Sequence, residues 1–385
     1  MEPDPEAVLL SQRLAGKIRE EIISAGGAIP FVRYMAMALY EPGLGYYSAG
    51  QEKFGAAGDF TTAPEVSPLF GRCLARPCRQ VLKQLGGGEI LEFGAGSGAL
   101  AADLLQELAQ HDSLPERYLI LEVSAELRLR QRETLEHRVP ALAGRVHWLE
   151  ELPASGFSGV ILANEVLDAM PVHRFRWSGE VVEEYSVGYQ EDEFTWKLQP
   201  PADAGFIDYV TGLVEEYALG PGYVSEVCMA IKPWISTLAE RLAGGLVLLI
   251  DYGYPRREYY HPQRSGGTLM CHYRHRAHDD PLVLPGLQDI TAHVDFTSVA
   301  EAGIAAGLEL EGFTTQAHFL LDSGIDRMLG EQNTEITSAQ LMDIQQARTL
   351  LMPGGMGERF RFIGLGRGLE LPVEGFRMQD LRGRL

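Results

Sequence analysis

The segment VILANEVLDAMPVHRF, residues 160–175, places an amide and two carboxylates directly after an apolar run of strand character. The polar side chains are Asn164, Glu165 and Asp168. Acids rarely lie beside a buried strand unless something pairs with them. Because ligands of open α/β sheets bind at the carboxyl ends of strands, a ligand site is predicted here. If a helical turn follows Glu165, the two acids, three positions apart, project to one side.

A glycine-rich segment, ILEFGAGSGAL (residues 90–100), provides a second candidate site. A predicted strand leads through Gly94, Gly96 and Gly98 into a helix. Glycine allows a tight turn and lets a ligand approach the backbone closely. The spacing also satisfies a loose dinucleotide-binding pattern, so the glycines alone leave the cofactor open. Glu92, two residues before Gly94, would face a cationic ligand and would repel a pyrophosphate.

The second predicted strand ends in Glu122, 26 residues after Gly96, where a carboxylate can accept hydrogen bonds from a ribose. Glycines after strand one, an acid after strand two and a polar end to strand four form the pattern of the class I methyltransferases. These enzymes bind S-adenosylmethionine, a sulfonium cation that carries an aminoacyl group and an adenosine. The predicted cofactor-binding residues in these segments are Glu92, Gly94, Gly96, Gly98, Glu122 and Asn164.

The elements that must position these residues alternate between strand and helix from residue 86 onwards, which implies a parallel sheet. We predict an α/β fold, a Rossmann-like seven-stranded sheet of the class I methyltransferase type, over residues 86–385. A mostly helical N-terminal arm and lid, residues 1–85, precedes it. Long connections predict insertions, which are expected at about 172–225, 252–293 and 323–353. In the first of these insertions, apolar and polar residues alternate with period two, which is typical of antiparallel hairpins. Residues 224–242 are predicted to form a helix.

The composition excludes several classes of protein. A formal net charge of −20 over 385 residues argues against a nucleic-acid binder. Four scattered cysteines argue against a disulfide framework. His272, His275 and His278 lack acid or cysteine partners in the sequence, so no metal site is predicted. No apolar window reaches the roughly 18 residues of a membrane span. The first residues resemble neither a secretory signal nor a transit peptide, which predicts a cytoplasmic protein.

Two further segments contain candidate site residues. Asp59 and Thr62, in GDFTTAPEVSPLFG, would belong to a lid over the cofactor, although Thr62 and Glu65 also have the spacing of a helix capping box. His293, in DITAHVDF, could act as a general base, with a capping or core histidine as the alternative.

Six separated segments resemble the MidA-like family, methyltransferases related to the mitochondrial complex I assembly factor. They are FVRYMAMALYEPGLGYYSAG, GDFTTAPEVSPLFG, LEFGAGSGALAADLL, ANEVLDAMPVHRF, LLIDYG and DITAHVDFTSV, and the resemblance runs from about residue 28 to 366. It implies an S-adenosylmethionine-dependent methyltransferase. In the mitochondrial member the activity is symmetric dimethylation of an arginine in a complex I core subunit. The motifs do not carry that substrate over to this chain.

The resemblance implies a protein arginine N-methyltransferase, and a complex I core subunit or a similar protein is the expected substrate. Glu165 and Asp168 suit an arginine because a guanidinium presents paired N–H donors that carboxylates accept. One alternative is a small-molecule O-methyltransferase that uses His293 as its catalytic base. Another is a non-catalytic assembly chaperone with a methyltransferase fold. The sequence does not determine the oligomeric state, and a homodimer is among the states that it allows.

Overall fold

The computed structural model describes residues 4–48, 62–274, 276–330 and 337–385 of the chain. Within these ranges the protein is an α/β structure in which a large mixed sheet carries helices on both faces. This is the architecture that the strand–helix alternation predicts.

The described residues form sixteen strands and thirteen α-helices, with short 3₁₀ turns at Ala143–Arg145 and Arg382–Arg384. The strands are β1 (Ile29–Pro30), β2 (Glu89–Phe93), β3 (Tyr118–Leu121), β4 (Val146–Leu149), β5 (Phe157–Asn164), β6 (His173–Trp177), β7 (Val182–Gln190), β8 (Glu193–Gln199), β9 (Tyr223–Val227), β10 (Leu242–Tyr254), β11 (Met270–Tyr273), β12 (Arg276–His278), β13 (Asp289–Thr291), β14 (Val294–Asp295), β15 (Glu309–Thr315) and β16 (Phe360–Arg367). The helices are α1 (Pro5–Ser24), α2 (Phe31–Tyr40), α3 (Ala63–Val66), α4 (Pro68–Leu85), α5 (Ala99–Gln110), α6 (Ala125–Arg138), α7 (Ala204–Tyr217), α8 (Ile231–Arg241), α9 (Arg256–Tyr259), α10 (Phe296–Ala305), α11 (Gln316–Asp322), α12 (Ile325–Gly330) and α13 (Ser338–Leu351).

Seven strands make the main path of the large sheet, in the order β15-β16-β10-β5-β2-β3-β4, and the two-residue strand β14 pairs beside β10. Strands β4, β3, β2, β5 and β10 are parallel, whereas β16 runs antiparallel to both of its neighbours. Because parallel strands end at the same edge, the segments that follow β2, β3 and β5 meet there. The register pairs Phe93 with Leu121 on one side and with Ala163 on the other.

Alternate residues of the central strands enter two different cores, as the period of a strand requires. On one face Ile90 and Leu162 pack with helices α4 and α5. On the other face Leu91 and Ile161 pack with helices α8 and α10. Helices therefore cover both faces of the parallel sheet, and burial of these apolar side chains fixes the strand ends.

A second sheet, in the order β1-β7-β6-β9 with β8 beside β7, forms in the region of the first predicted insertion. Helices α1 and α2 pack against it, and their residues Ile18 and Phe31 belong to the same hydrophobic cluster as Val187 of β7. The helix predicted over residues 224–242 is wrong at its start, because Tyr223–Val227 is strand β9. Antiparallel pairing with β6 overrides the local helical pattern there, and helix α8 begins only at Ile231.

The regions of the other two predicted insertions also contain regular elements. The second contains a small sheet in the order β12-β11-β13, and the third contains helices α12 and α13. In the described part of the chain, every helix is too short or too polar to cross a bilayer.

Candidate active site

A cavity of about 650 Å³ opens at the carboxyl ends of β2, β3 and β5. Its walls come from the glycine loop after β2, the ends of the neighbouring strands, the small sheet of the second insertion and the segment after α13. Of the residues predicted from the sequence, the structure brings Thr62, Glu92, Gly94, Gly96, Glu122, Asn164, Glu165, Asp168 and His293 to this cavity. Asp59 lies outside the described residues. Gly98 does not line the cavity.

The three glycines have different surroundings. Gly94 and Gly96 line the cavity with φ angles of 58° and 53°, in the left-handed region that glycine tolerates best. Gly98 has a φ of 86° at the start of helix α5, and a Cβ there would lie 3.1 Å from the Cα of Gln131. Its position requires a glycine for backbone conformation and for close packing of α5 on α6.

Glu92 lies below the glycine loop with 3 % of its surface exposed. The hydroxyl of Tyr118 donates to its Oε2 at 2.6 Å. Burial raises the pKa of Glu92 to about 7, against the opposing effect of the Tyr118 hydrogen bond. A cationic ligand in the cavity would favour the ionised carboxylate.

Glu122 is held by the turn that follows β3. Its Oε1 accepts the backbone N–H of Ser124 at 2.9 Å, and its Oε2 accepts the side-chain amide of Gln131 at 3.1 Å. The same Gln131 nitrogen lies 3.1 Å from the carbonyl oxygen of Gly96, and the indole of Trp148 donates to the Gln131 Oε1 at 2.8 Å. One side chain of α6 therefore joins the glycine loop to Glu122.

The backbone at the end of β5 is strained. Glu165 has a φ of 54°, which is uncommon for a residue with a Cβ, and such strain concentrates at functional sites. The side-chain amide of Asn164 donates to the Glu165 Oε1 at 3.2 Å. The buried Asn164 Oδ1 and Asp168 Oδ1 have no hydrogen-bond partner among the described residues. Such orphaned buried acceptors are expected where a ligand donates.

Asp251, at the end of β10, fixes the turn after Glu165. Its Oδ2 accepts the backbone N–H groups of Leu167 and Asp168 at 3.0 and 3.2 Å, and its Oδ1 accepts that of Tyr252 at 2.9 Å. Asp251 is fully buried and does not line the cavity, whereas Tyr252 does. Asp251, the acid of the LLIDYG segment, therefore positions the turn that contains Asp168.

The acids at the strand ends hold protons more tightly than free carboxyls. Burial raises the pKa of Glu165 to about 8, and repulsion from Asp168 acts in the same direction. Burial also raises the pKa of Asp168, although a hydrogen bond from Tyr252 opposes it. The pKa of Asp251 is raised by burial and by the charge of Asp168. A bound cation would relieve this repulsion.

The segment before α4 reaches the cavity through Thr62 and Glu65. Thr62 stands at the start of α3, but its side chain makes no capping hydrogen bond, so the capping box is not formed. The carboxylate of Glu65 instead accepts a hydrogen bond from the Ser97 hydroxyl of the glycine loop. This segment is therefore attached to the loop by a side-chain contact.

His293 lies between two tyrosine rings. Its ring stacks on Tyr254 at 5.3 Å between centroids and meets Tyr252 edge-on at 5.1 Å. Burial, together with the charges of Arg264 and Arg359, lowers the pKa of His293 to about 4. The imidazole is therefore neutral at physiological pH and would be a weak base.

Carboxylates outnumber cations in the described cavity lining. Six acids line it: Glu65, Glu92, Glu122, Glu165, Asp168 and Asp289. The lining contains one arginine, Arg359, and no lysine. Among the described residues, no group of histidine, cysteine and acidic side chains is arranged to hold a metal ion. The charge, the open glycine loop and the orphaned acceptors fit a cationic sulfonium cofactor that carries N–H and O–H donors.

Several lining residues were not singled out from the sequence. Tyr40 and Tyr47, from α2 and the loop after it, stack at 5.5 Å and line the cavity. The Tyr40 hydroxyl donates to the carbonyl of Ala169 at 2.9 Å. The sequence feature that could have identified these two tyrosines is the Pro/Gly/Tyr-rich stretch YEPGLGYYSAG, which contains both. Nothing in the sequence pattern marked Gln131, which does not line the cavity and lies among many charged residues in helix α6.

The strand order and the acid-lined cavity define a methyltransferase of the Rossmann-like type. Residues 73–314 match the model of the family described as "Putative S-adenosyl-L-methionine-dependent methyltransferase", and the chain belongs to this family. It superposes with a TM-score of 0.96 on a Burkholderia thailandensis protein described as a "likely methyl transferase", with 45% identity and all of both chains covered. That crystal structure contains S-adenosylhomocysteine. The predicted fold class, the enzyme class and the S-adenosylmethionine cofactor are confirmed.

Curated relatives are similar over most of the chain. A Danio rerio protein named protein arginine methyltransferase NDUFAF7, mitochondrial, is 31% identical over 377 residues, which cover 89% of this chain and 84% of that protein. The Drosophila melanogaster homologue is 29% identical over 408 residues, covering 94% and 88% of the two chains. The resemblance to the MidA-like family is confirmed.

These names contradict the predicted cytoplasmic localisation. Both relatives are named as mitochondrial proteins. The prediction relied on the composition of the first residues alone, and that composition does not determine the compartment in which the folded protein works.

Proposed function

We propose that this S-adenosylmethionine-dependent methyltransferase methylates an arginine side chain of a protein substrate. The names of the curated relatives support this acceptor. The observation that carries the proposal is the placement of two acids three positions apart just after the end of β5, the half-buried Glu165 and the buried Asp168. A protein partner is the corresponding substrate class, and a complex I core subunit is the first candidate to test.

A guanidinium suits this pair of carboxylates better than a neutral acceptor does. Arginine remains charged at neutral pH and presents five N–H donors in a plane, so one guanidinium can donate to both acids. An uncharged hydroxyl would leave Glu165 and Asp168 close together with no cation between them. Two neighbouring carboxylates that are shielded from solvent are costly to ionise together when no cation lies between them.

The chemistry is a direct displacement. Bound S-adenosylmethionine supplies a methyl group on a sulfonium, so that an N–C bond forms while the S–C bond breaks and its electron pair stays on sulfur. Glu165 and Asp168 orient the guanidinium and localise its charge on one nitrogen, which leaves the other more nucleophilic. The attacking nitrogen loses a proton, and the Glu165 carboxylate accepts it. Positioning is the larger contribution, and proton removal is the smaller.

The proposed cofactor contacts follow from the cavity lining. Gly94 and Gly96 allow close approach to the backbone, and Glu122 accepts from the ribose hydroxyls. Asn164 and Glu92 also line the cavity and would face the positively charged part of the cofactor. Gly98 contributes indirectly, because it lets α5 begin next to Gln131.

Methyl transfer from labelled S-adenosylmethionine to a purified complex I core subunit tests the proposal. Mass spectrometry should locate the methyl group on an arginine. Glu165→Gln should reduce kcat about a hundredfold or more, while the Kd for the cofactor changes little. Glu191→Gln is the matched control, since Glu191 has a similar φ of 52° but is exposed in a hairpin. Methylation of a different residue type, or an unchanged rate for Glu165→Gln, would refute the proposal.

A further inference from the structure

The small sheet of the second insertion has one face toward the cavity and one toward the core. In the pairing of β11 with β13, Met270 lies opposite Thr291 and His272 lies opposite Asp289, and all four residues line the cavity. We call these four residues the acceptor wall. The intervening pair, Cys271 and Ile290, is fully buried in the core behind it. The alternation of a strand therefore dictates which side chains face the ligand.

Asp289 is the acid of the acceptor wall, and 3 % of its surface is exposed. The hydroxyl of Tyr47 donates to its Oδ1 at 2.9 Å. Tyr47 also lines the cavity, so the contact is part of the site. A carboxylate has several acceptor sites, so Asp289 can accept hydrogen bonds from a ligand in addition to the one from Tyr47.

Asp289 lies within electrostatic reach of the acids at the end of β5. Its charge is one of the causes that raise the pKa of Glu165, after burial and the charge of Asp168. It also raises the pKa of the Tyr40 hydroxyl, after burial. The strand-end acids and the acceptor wall line the same cavity, so a ligand there can contact both.

We propose that Asp289, oriented by Tyr47, binds the acceptor guanidinium together with Glu165 and Asp168. The inference rests on the proposed arginine acceptor. A guanidinium that donates two N–H groups to one carboxylate retains three donors for others, so a third acid in the cavity has a defined partner. Asp289 belongs to the second insertion. In this arrangement the insertion selects the arginine that accepts the methyl group, and the residues at the ends of the parallel strands carry out methyl transfer.

Steady-state kinetics of Asp289→Asn tests this inference, with the complex I core subunit as acceptor and saturating S-adenosylmethionine. We expect KM for the acceptor to rise about tenfold or more, because one charge-assisted contact is lost. The value of kcat and the Kd for S-adenosylhomocysteine should change less than about threefold. Asp280→Asn is the control, since Asp280 is exposed in the same insertion and does not line the cavity.

A second variant, Tyr47→Phe, separates substrate binding from a purely structural contact. It removes the donor but keeps the carboxylate, so a rise in KM of only about threefold is expected. If Asp289 served only to hold Tyr47, both variants would lower the free energy of unfolding equally and leave KM unchanged. That result overturns the inference and spares the proposed function. If the wild-type protein transfers no methyl group to arginine, both proposals fail together.

Discussion

The side-chain amide of Gln131 donates to the Glu122 carboxylate at 3.1 Å. The same nitrogen lies 3.1 Å from the carbonyl of Gly96, so one side chain fixes both the glycine loop and the acid after β3. Gln131 is completely buried and does not line the cavity. Gln131 therefore affects cofactor binding indirectly, because it fixes the glycine loop and Glu122 relative to each other.

Gln131→Ala should weaken S-adenosylmethionine binding by about tenfold, because the Glu122 carboxylate loses a buried donor and the loop loses its link to α6. Isothermal titration calorimetry measures this change directly. Gln190→Ala, at the exposed end of β7, is the control and should bind normally. Equal affinities for the two variants would show that Gln131 has no part in organising the site.

Gly98→Ala should destabilise the protein by about 1–2 kcal/mol or more, because alanine is strained at a φ of 86°. Its Cβ would also lie 3.1 Å from the Cα of Gln131. Gly144→Ala is the matched control, because a Cβ there meets nothing within 4 Å. Urea denaturation of both variants gives the comparison. A variant as stable as the control would mean that α5 can shift away from α6 at little cost.

The sequence predicts the parallel part of the sheet well, because Ile90, Leu91 and Phe93 in one strand and Val160–Ala163 in another place apolar side chains on both faces, and a glycine or a polar residue follows each strand. It predicts the start of α8 poorly, since Tyr223–Val227 becomes a strand only through its pairing with β6. Local pattern carries little information about such pairing.

The residues of the candidate site also fall into two groups, those that the sequence predicts and those that it does not. Glycines and acids at the carboxyl ends of strands can be found by spacing, and Glu92, Glu122 and Glu165 belong to that group. Gln131 and Asp289 cannot be found in this way, because their importance depends on contacts between distant segments. Tyr47 and Asp289 are 242 positions apart, yet they share a hydrogen bond.

The stability of the cofactor-free protein should depend on the ionisation of Glu165. The folded protein keeps this carboxyl protonated up to a pKa of about 8, whereas its ordinary value is 4.5. Between these values the folded state binds one more proton than the unfolded state, so the free energy of unfolding falls as pH rises. The stabilisation is fully present below about pH 4.5 and is lost as pH approaches 8.

Glu165→Gln removes this contribution, so its free energy of unfolding relative to wild type should increase steadily from about pH 5 to pH 8. Urea denaturation of the variant and the wild type at several pH values measures this difference in the free energy of unfolding. Glu92 is present in both proteins, so the effect of its ionisation cancels in the difference. Glu191→Gln should give a curve parallel to that of the wild type. A constant difference between Glu165→Gln and wild type would indicate that Glu165 ionises at its ordinary pKa.

His293→Phe tests whether this histidine is a catalytic base. The substitution keeps an aromatic ring against Tyr252 and Tyr254, and the Nδ1 that it removes has no hydrogen-bond partner among the described residues. Since burial lowers the pKa of His293 to about 4, the ring contributes no charge and little basicity at neutral pH. We therefore expect kcat to fall less than about threefold, with an unchanged pH profile above about pH 5. A hydroxyl acceptor that depended on His293 would instead lose about 10²–10⁴ in rate, because proton removal would then require this base.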